Sequence, residues 1–196
     1  MKRSLFVVPA LAAAAVFAAL FATNSSGSRG LDRLTNRGEP VARISPPGSR
    51  ILEHLRANNL RLLAQIGHRQ FFRLTIRNAD CFASGDADIA GATPTDVYCP
   101  NGSFPTAALP VYDDPAVEIA KGDPGAPRLL ALDGFAADGV DRVELVREGV
   151  VIASARIVGN VFSLDAAGVA IAGARLVARD EAGAIVFTRT YSAPPS

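Results

Sequence analysis

Two cysteines are the side chains whose chemistry is easiest to predict. The 196-residue chain contains only Cys81 and Cys99. In an exported protein an even pair favours a disulfide, which would close a loop of nineteen residues and contribute about 3 kcal/mol in the chain-entropy model. A catalytic cysteine acting with His54 or His68 is the alternative, but no local nucleophile signature accompanies it. The sequence therefore predicts a disulfide.

The two histidines do not form a recognisable metal motif. His54 and His68 are fourteen residues apart, and no H-E-x-x-H or similar spacing occurs. With both cysteines assigned to a disulfide, two histidines make a poor zinc set. We therefore predict no metal, no cofactor and no catalytic residue.

Several aspartates invite two further hypotheses. Asp86 and Asp88 form a D-x-D, Asp96 follows, and Asp113 and Asp114 are adjacent. Oxygen-rich loops can hold calcium, although the glycine and terminal glutamate of a calcium loop are missing here. Paired acids also serve glycosidases, but a chain with 19 acidic residues offers many such pairs. We interpret these carboxylates as solvated loop residues, and calcium binding by Asp86 and Asp88 stays open.

The overall charge and the known motifs exclude several classes of protein. Twenty basic residues against nineteen acidic ones give a net charge of +1, with no dense basic stripe to neutralise phosphates. We therefore predict no nucleic-acid partner. A G-x-S-x-G elbow, a Gly-rich phosphate loop and the protein-kinase motifs are all missing from the sequence. These findings favour a protein without enzymatic activity.

The N-terminus resembles an export signal. Residues 1–24 begin with two basic side chains, and the uncharged run Leu5–Ala22 follows them. A helix of that length spans about 27 Å, long for a signal peptide and short for a membrane anchor. Cleaved signal and retained signal anchor both stay open, because Leu20 occupies a position where a small residue is expected. The charge bias leaves the body outside the cytoplasm, secreted or anchored to the cytoplasmic membrane through residues 5–22.

A linker and a small α+β unit are predicted next. Residues 25–49 are rich in Gly, Ser, Arg and Pro and read as a flexible linker. Arg50–Ile66 is predicted to be a helix with an apolar stripe. Its stripe contains Ile51, Leu52, Leu55, Leu62, Leu63 and Ile66. Strands are expected at Arg69–Arg77 and Asp96–Cys99, which completes a disulfide-stapled unit over residues 50–120.

Prolines dominate the connection to the rest of the chain. They recur every five residues through Asn101–Pro115, which forbids a helix and any central strand. We predict an extended strap there, a short strand at Val117–Ile119 and a hinge at Lys121–Pro127.

The C-terminal third has the pattern of an all-β fold. Six β-prone runs alternate with turns, of which Asp180–Gly183 should close a hairpin and Gly149 should turn the second run into the third. The runs are Arg128–Phe135, Val140–Val146, Val150–Val158, Val161–Leu164, Ala174–Ala178 and Ala184–Tyr191. Short strands without a helical interruption predict a β-sandwich over residues 127–191.

Three segments of this region carry a resemblance to a known family. Leu132–Val140, Gly159–Phe162 and Ala178–Gly183 resemble the opening, the G-N-x-F strand and the A-x-D-x-x-G hairpin of bacterial immunoglobulin-like and fibronectin-like modules. The resemblance covers about a third of the chain and implies a fold rather than an activity. The whole chain is also similar to exported proteins of high-GC bacteria that have no assigned function.

Together these features predict a mainly β protein, with a small α+β unit followed by an Ig-like β-sandwich. The expected role is binding or structural work at the cell envelope, with an envelope protein or polymer as partner. The alternative is an extracytoplasmic enzyme, or an accessory module, acting on cell-wall polymers. A cleft with converging acids and aromatics around Phe71, Phe72, Tyr98 and Tyr112 would favour that alternative, and an open sheet edge would favour protein binding.

Overall fold

In the part of the chain that the structure describes, the fold is mainly β, with one short helix. A computed structural model describes residues 29–88, 91–100, 104–118 and 127–192. The predicted export signal lies outside the described residues, as does nearly all of the predicted hinge Lys121–Pro127. Within the described ranges, no helix combines the length and apolar character needed to cross a membrane.

The helix is shorter and begins earlier than predicted. Helix α1 covers Pro46–Leu55, and the side chain of Ser45 caps it by accepting a hydrogen bond from the Gly48 amide at 3.3 Å. Arg56 ends it in the left-handed conformation at φ 53°. The predicted helix is therefore wrong beyond residue 56, because the chain continues there as a strand, Ala57–Ile66. Pro46 and Pro47 occupy the first turn of the helix, where proline is tolerated. The prolines interpreted as part of a linker therefore mark the start of α1.

Five antiparallel strands form the first sheet. They are β1 (Glu39–Pro40), β2 (Ala57–Ile66), β3 (Arg69–Ile76), β4 (Ala79–Asp88) and β5 (Gly91–Tyr98), in the order β1-β2-β3-β4-β5. The predicted strand at Arg69–Arg77 is confirmed as β3. The strand predicted at Asp96–Cys99 coincides with the end of β5, and the stretch rich in Gly, Ala and Asp before it is strand β4.

Seven strands form two further antiparallel sheets. They are β6 (Val111–Glu118), β7 (Arg128–Ala136), β8 (Arg142–Arg147), β9 (Val150–Arg156), β10 (Val161–Leu164), β11 (Arg175–Arg179) and β12 (Ile185–Thr190). One sheet has the order β10-β7-β6 and the other β12-β11-β8-β9. All six strands predicted after residue 127 are confirmed. The predicted hairpin is confirmed too, because Gly183 has φ +83° and Asp180 accepts a hydrogen bond from the Ala184 amide.

Strand β6 comes from the proline-rich region. Its Pro115 lies opposite Leu132 of β7, and the strand occupies an edge of its sheet. An edge tolerates proline because that residue has no N–H to donate. The predicted short strand at Val117 is the end of β6, and Ile119 lies outside the described residues.

The segment predicted to be a linker is packed in its described part. Leu31 is buried in the core that the two C-terminal sheets share. The Asn36 side chain donates to the carbonyls of Leu63 and Gly159 at 3.2 and 2.7 Å. Residues 29–40 therefore contact both the first sheet and the C-terminal strands.

Two apolar cores hold the sheets together. The first lies between the two C-terminal sheets and includes the fully buried Leu132, Leu145 and Leu176. The second joins the first sheet to the three-stranded one and contains Leu63, Phe71, Phe82, Phe104, Phe135 and Val161. The second core forms the aromatic side of the site described next.

Candidate functional site

A cleft lies where the first sheet meets the three-stranded sheet. Alternate residues of a strand share a face, so Arg69, Phe71 and Arg73 of β3 all point to the same side of the first sheet. Phe71 is fully buried on that side, with its ring 5.8 Å from Phe135 of β7 in an edge-to-face arrangement. Phe82 of β4 packs 5.1 Å from the same ring. These contacts fix the distance between the two sheets.

A stacked tyrosine pair forms one wall of the cleft. The rings of Tyr98 and Tyr112 lie 3.5 Å apart and are nearly parallel, with an interplanar angle of 10°. Tyr98 is the last residue of β5 and Tyr112 the second residue of β6, so the pair connects the two sheets. Phe104 packs edge-on to Phe82 at 5.5 Å. Aromatic pairs of this kind contribute about 1 kcal/mol beyond their buried area.

The opposite end of the cleft is charged and is organised by Arg69. Its Nε donates to Asp133 Oδ2 at 2.7 Å, its Nη1 to Asp86 at 3.1 Å and its Nη2 to Ser84 at 3.0 Å. Asp96 lies at 4.0 Å from the same guanidinium. One cation therefore faces three carboxylates directly, and the surplus charge in this region is negative.

Asp133 is the most buried of these acids. Its side chain is 5% exposed, and its Oδ1 has no hydrogen-bond partner among the described residues. Asp114 lies directly opposite it on β6, which adds a fourth carboxylate to the region. A buried carboxylate oxygen without a partner is costly, because it has lost its water and gained nothing in return. Among the described residues, the site therefore lacks a hydrogen-bond donor for Asp133 Oδ1, whereas Oδ2 accepts from Arg69.

The cleft has a volume of about 350 Å³, within the range of small-molecule sites. Its wall combines five aromatic rings with three carboxylates and two hydroxyl side chains. The lining residues are Phe71, Phe82, Ser84, Thr95, Asp96, Val97, Tyr98, Tyr112, Asp114, Asp133, Gly134 and Phe135.

The titration of two lining groups is shifted by this environment. Loss of water raises the pKa of Asp114, and repulsion from Asp96 and Asp133 raises it further. The pKa of Tyr112 is raised to about 12, chiefly by burial and then by the neighbouring Asp114. In both groups burial is the main cause of the raised pKa, and the negative charge of neighbouring carboxylates adds to it.

The predicted disulfide is confirmed and braces this cleft. Cys81 and Cys99 are bonded, with their Cα atoms 4.3 Å apart. The bond joins β4, which carries Phe82 and Ser84, to the residue that follows Tyr98. It therefore links the two neighbouring strands that carry these lining residues.

The other residues singled out in the sequence are dispersed. Phe72 lies on the opposite face of the first sheet, in the core under α1. Asp113 is buried away from the cleft and accepts hydrogen bonds from Arg189 at 2.9 Å and Tyr191 at 2.6 Å. His54 lies in the last turn of α1, and the His68 carbonyl accepts from the Ala87 amide.

The described residues offer no support for calcium binding by the aspartates. The Asp88 side chain lies outside the part of the chain that is described, while Asp86 pairs with Arg69. No group of three or more His, Cys, Asp or Glu side chains in the described ranges is arranged to hold a metal ion.

Sequence reasoning missed the two residues that organise the site. Arg69 and Asp133 are 64 positions apart, and nothing in their local patterns connects them. Asp133 appeared only inside the Leu132–Val140 segment, as part of a fold signature.

Comparisons with known proteins do not assign this chain to a protein family. No protein-family model matches the chain, and no significant match to a curated protein or to a solved structure was found.

Proposed function

We propose that this chain is an exported or membrane-tethered binding protein of the bacterial cell envelope, without catalytic activity. Its ligand would occupy the cleft between the first sheet and the three-stranded sheet. The observation that carries the proposal is the combination of aromatic walls with Asp133, whose Oδ1 lacks a donor. The disulfide supports an oxidising exterior, and the N-terminal segment supports export.

The charge of the cleft restricts the chemistry of its ligand. Asp96, Asp114 and Asp133 can accept hydrogen bonds, whereas Arg69 already donates to Asp133, Asp86 and Ser84. A ligand must therefore bring its own donors, as hydroxyl or ammonium groups, and an anionic ligand would be repelled. Flat apolar faces would rest on the aromatic rings. Sugar units of envelope polymers, neutral or amino-substituted, combine both properties.

We further propose that β6–β12 form an immunoglobulin-like β-sandwich. Seven antiparallel strands divided three and four, with a shared core between the sheets, support this architecture. The sandwich would act as a rigid support, presenting Tyr112, Asp114 and Asp133 to the first sheet. Rigid strands suit a binding site because they hold its groups in place.

Binding of three polymer fragments to the full chain tests this proposal. Chitosan oligomers are cationic, cello-oligosaccharides are neutral and oligogalacturonate is anionic. We expect calorimetry to detect the first two and not the third, and Asp133→Ala to weaken binding about tenfold through loss of a charged acceptor. Preferential binding of oligogalacturonate, or equal binding by Asp133→Ala, would contradict the proposal. Asp165→Ala is a matched control, because that residue is exposed and lies outside the cleft.

A second candidate function is supported by the acids themselves. The raised pKa of Asp114 beside Asp96 and Asp133 resembles the arrangement in which one carboxyl serves as acid and another stays ionised. An enzyme acting on cell-wall polymers would use such a pair. Incubation of the full chain with purified wall polymer, followed by mass analysis of soluble products, separates the two candidates. Asp114-dependent turnover would replace binding with catalysis as the function.

A further inference from the structure

We propose that a second cavity, formed by three arginines at the other end of β3, binds a phosphate monoester group. The cavity has a volume of about 400 Å³ and lies beside β2 and β3. Its lining residues are Arg37, Asn59, Arg61, Arg73, Leu74, Thr75 and Asp80. The inference is independent of the cleft ligand, because no residue lines both cavities.

The strand register forces two arginines together. Arg61 of β2 lies directly opposite Arg73 of β3, and like charges in that position destabilise a sheet. Arg37 adds a third guanidinium, and Asp80 is the only acid in the lining. The cavity therefore carries a net charge of about +2.

The hydrogen bonds leave this charge incompletely balanced. Arg61 Nε and Nη2 donate to the Gly38 carbonyl at 3.0 and 2.8 Å, which fixes the guanidinium without neutralising it. Arg73 pairs through Nε and Nη2 with Asp80, yet its buried Nη1 has no partner in the described ranges. Among the same residues, none accepts a hydrogen bond from the Arg37 side chain.

A phosphate monoester matches these features better than other anions do. It carries a charge of about −1.5 to −2 near neutral pH and three strong acceptor oxygens. A carboxylate or a chloride ion would leave half of the cavity's charge unbalanced. Guanidinium groups also present paired donors in a plane that fits phosphate oxygens, which lysine cannot do.

Titration of the full chain with inorganic phosphate, followed by calorimetry, tests the inference. We expect phosphate to bind at least tenfold more tightly than acetate or chloride. Arg73→Gln should weaken phosphate binding about tenfold, since a charge-assisted hydrogen bond contributes about 1.5 kcal/mol or more. Arg37→Gln should weaken it about threefold, and its exposed side chain makes misfolding no concern. Asp80→Asn should strengthen it several-fold, because it removes the competing carboxylate.

Control measurements complete the experiment. Arg156→Gln removes an exposed arginine of β9, outside the cavity, and should bind phosphate like the unmodified chain. Vesicles of phosphatidic acid in phosphatidylcholine distinguish a lipid headgroup from a soluble ester, because only a headgroup ligand makes vesicle binding depend on Arg73. Equal affinity for phosphate and chloride, or unchanged phosphate binding by both Arg73→Gln and Arg37→Gln, would overturn the inference.

Discussion

Two arginines of one strand have opposite surroundings. Arg69 and Arg73 lie four residues apart on the same face of β3, with Phe71 between them. Arg69 donates to Asp133, Asp86 and Ser84, with Asp96 close by. Arg73 instead lies opposite another arginine and pairs with a single aspartate, Asp80. The same residue type therefore lies in an electronegative cleft at one end of β3, as Arg69, and in an electropositive cavity at the other, as Arg73. Residues on the neighbouring strands, not the arginines themselves, set the sign of the charge at each end.

The largest expected difference between the two ends is the loss of stability when each arginine is replaced. Arg69→Leu leaves the carboxylate of Asp133, only 5% exposed, buried without its cation, so the free energy of unfolding should fall by about 4 kcal/mol. Arg73→Leu should cost about 1 kcal/mol, because Asp80 is 58% exposed and can be hydrated. Urea denaturation of both variants measures the difference. Equal losses would mean that burial of the acid partner does not distinguish the two ends.

Loss of the disulfide should affect the two ends unequally. Replacing both Cys81 and Cys99 by Ser should lower the free energy of unfolding by about 3 kcal/mol, because the unfolded chain gains freedom. Ligand binding in the cleft should weaken as well, since the bond holds the strands that carry Ser84 and Tyr98. Phosphate binding in the arginine cavity should weaken less, because Arg37 and Arg61 lie on segments that the bond does not join. Thermal unfolding and calorimetry of this double variant test the claim, and two free thiols in the native chain would refute it.

A charge cluster on β8 and β11 provides a reference in which an acid is fully paired with arginines. Glu144 of β8 accepts hydrogen bonds from Arg179 at 2.8 Å and Arg142 at 3.0 Å, and these contacts, led by Arg179, lower its pKa. Its stabilising effect is therefore complete above the ordinary glutamate pKa and is lost as the pH falls through the lowered value. Glu144→Gln should cost about 2 kcal/mol at pH 7 and progressively less in acid. A loss that does not change with pH would show that packing, not charge, is responsible.

The smallest expected effect comes from Asp114. Its pKa is raised, so ionisation costs the folded state stability as the pH rises through the ordinary aspartate value towards the raised one. Asp114→Asn should therefore stabilise the chain near pH 7 by about 0.5 kcal/mol, a modest figure because solvent screens the group. The gain should vanish below the ordinary aspartate pKa. Destabilisation at pH 7 would show that the carboxylate makes a favourable contact in the fold.

The C-terminal strands could be predicted because local signals agree there. Alternating apolar residues and turns such as Asp180–Gly183 define each strand without reference to its neighbours. The segment Ala57–Ile66 was wrongly predicted as helix because its leucines fit a helical stripe as well as strand alternation. What decides the outcome is Arg56, whose positive φ ends the helix, together with pairing to β3. A single-sequence pattern contains neither fact.

The candidate sites were much less predictable than the strands. Asp96, Asp114 and the two tyrosines all stand out in the sequence, but whether they come together depends on how two sheets pack. Likewise, the opposition of Arg61 and Arg73 follows from a strand register that shifts at two irregularities along β2. A shift by one residue would move either side chain to the other face of the sheet.

The central proposal is that the Arg69 end of β3 binds neutral or cationic ligands and the Arg73 end binds anionic ones. Side-chain NMR of the arginine Nε–H groups, during separate titrations with glucosamine and inorganic phosphate, tests it most directly. We predict that glucosamine shifts the Arg69 signal and leaves Arg73 unchanged, and that phosphate does the reverse. Phosphate shifting Arg69, or glucosamine shifting Arg73, would contradict the account.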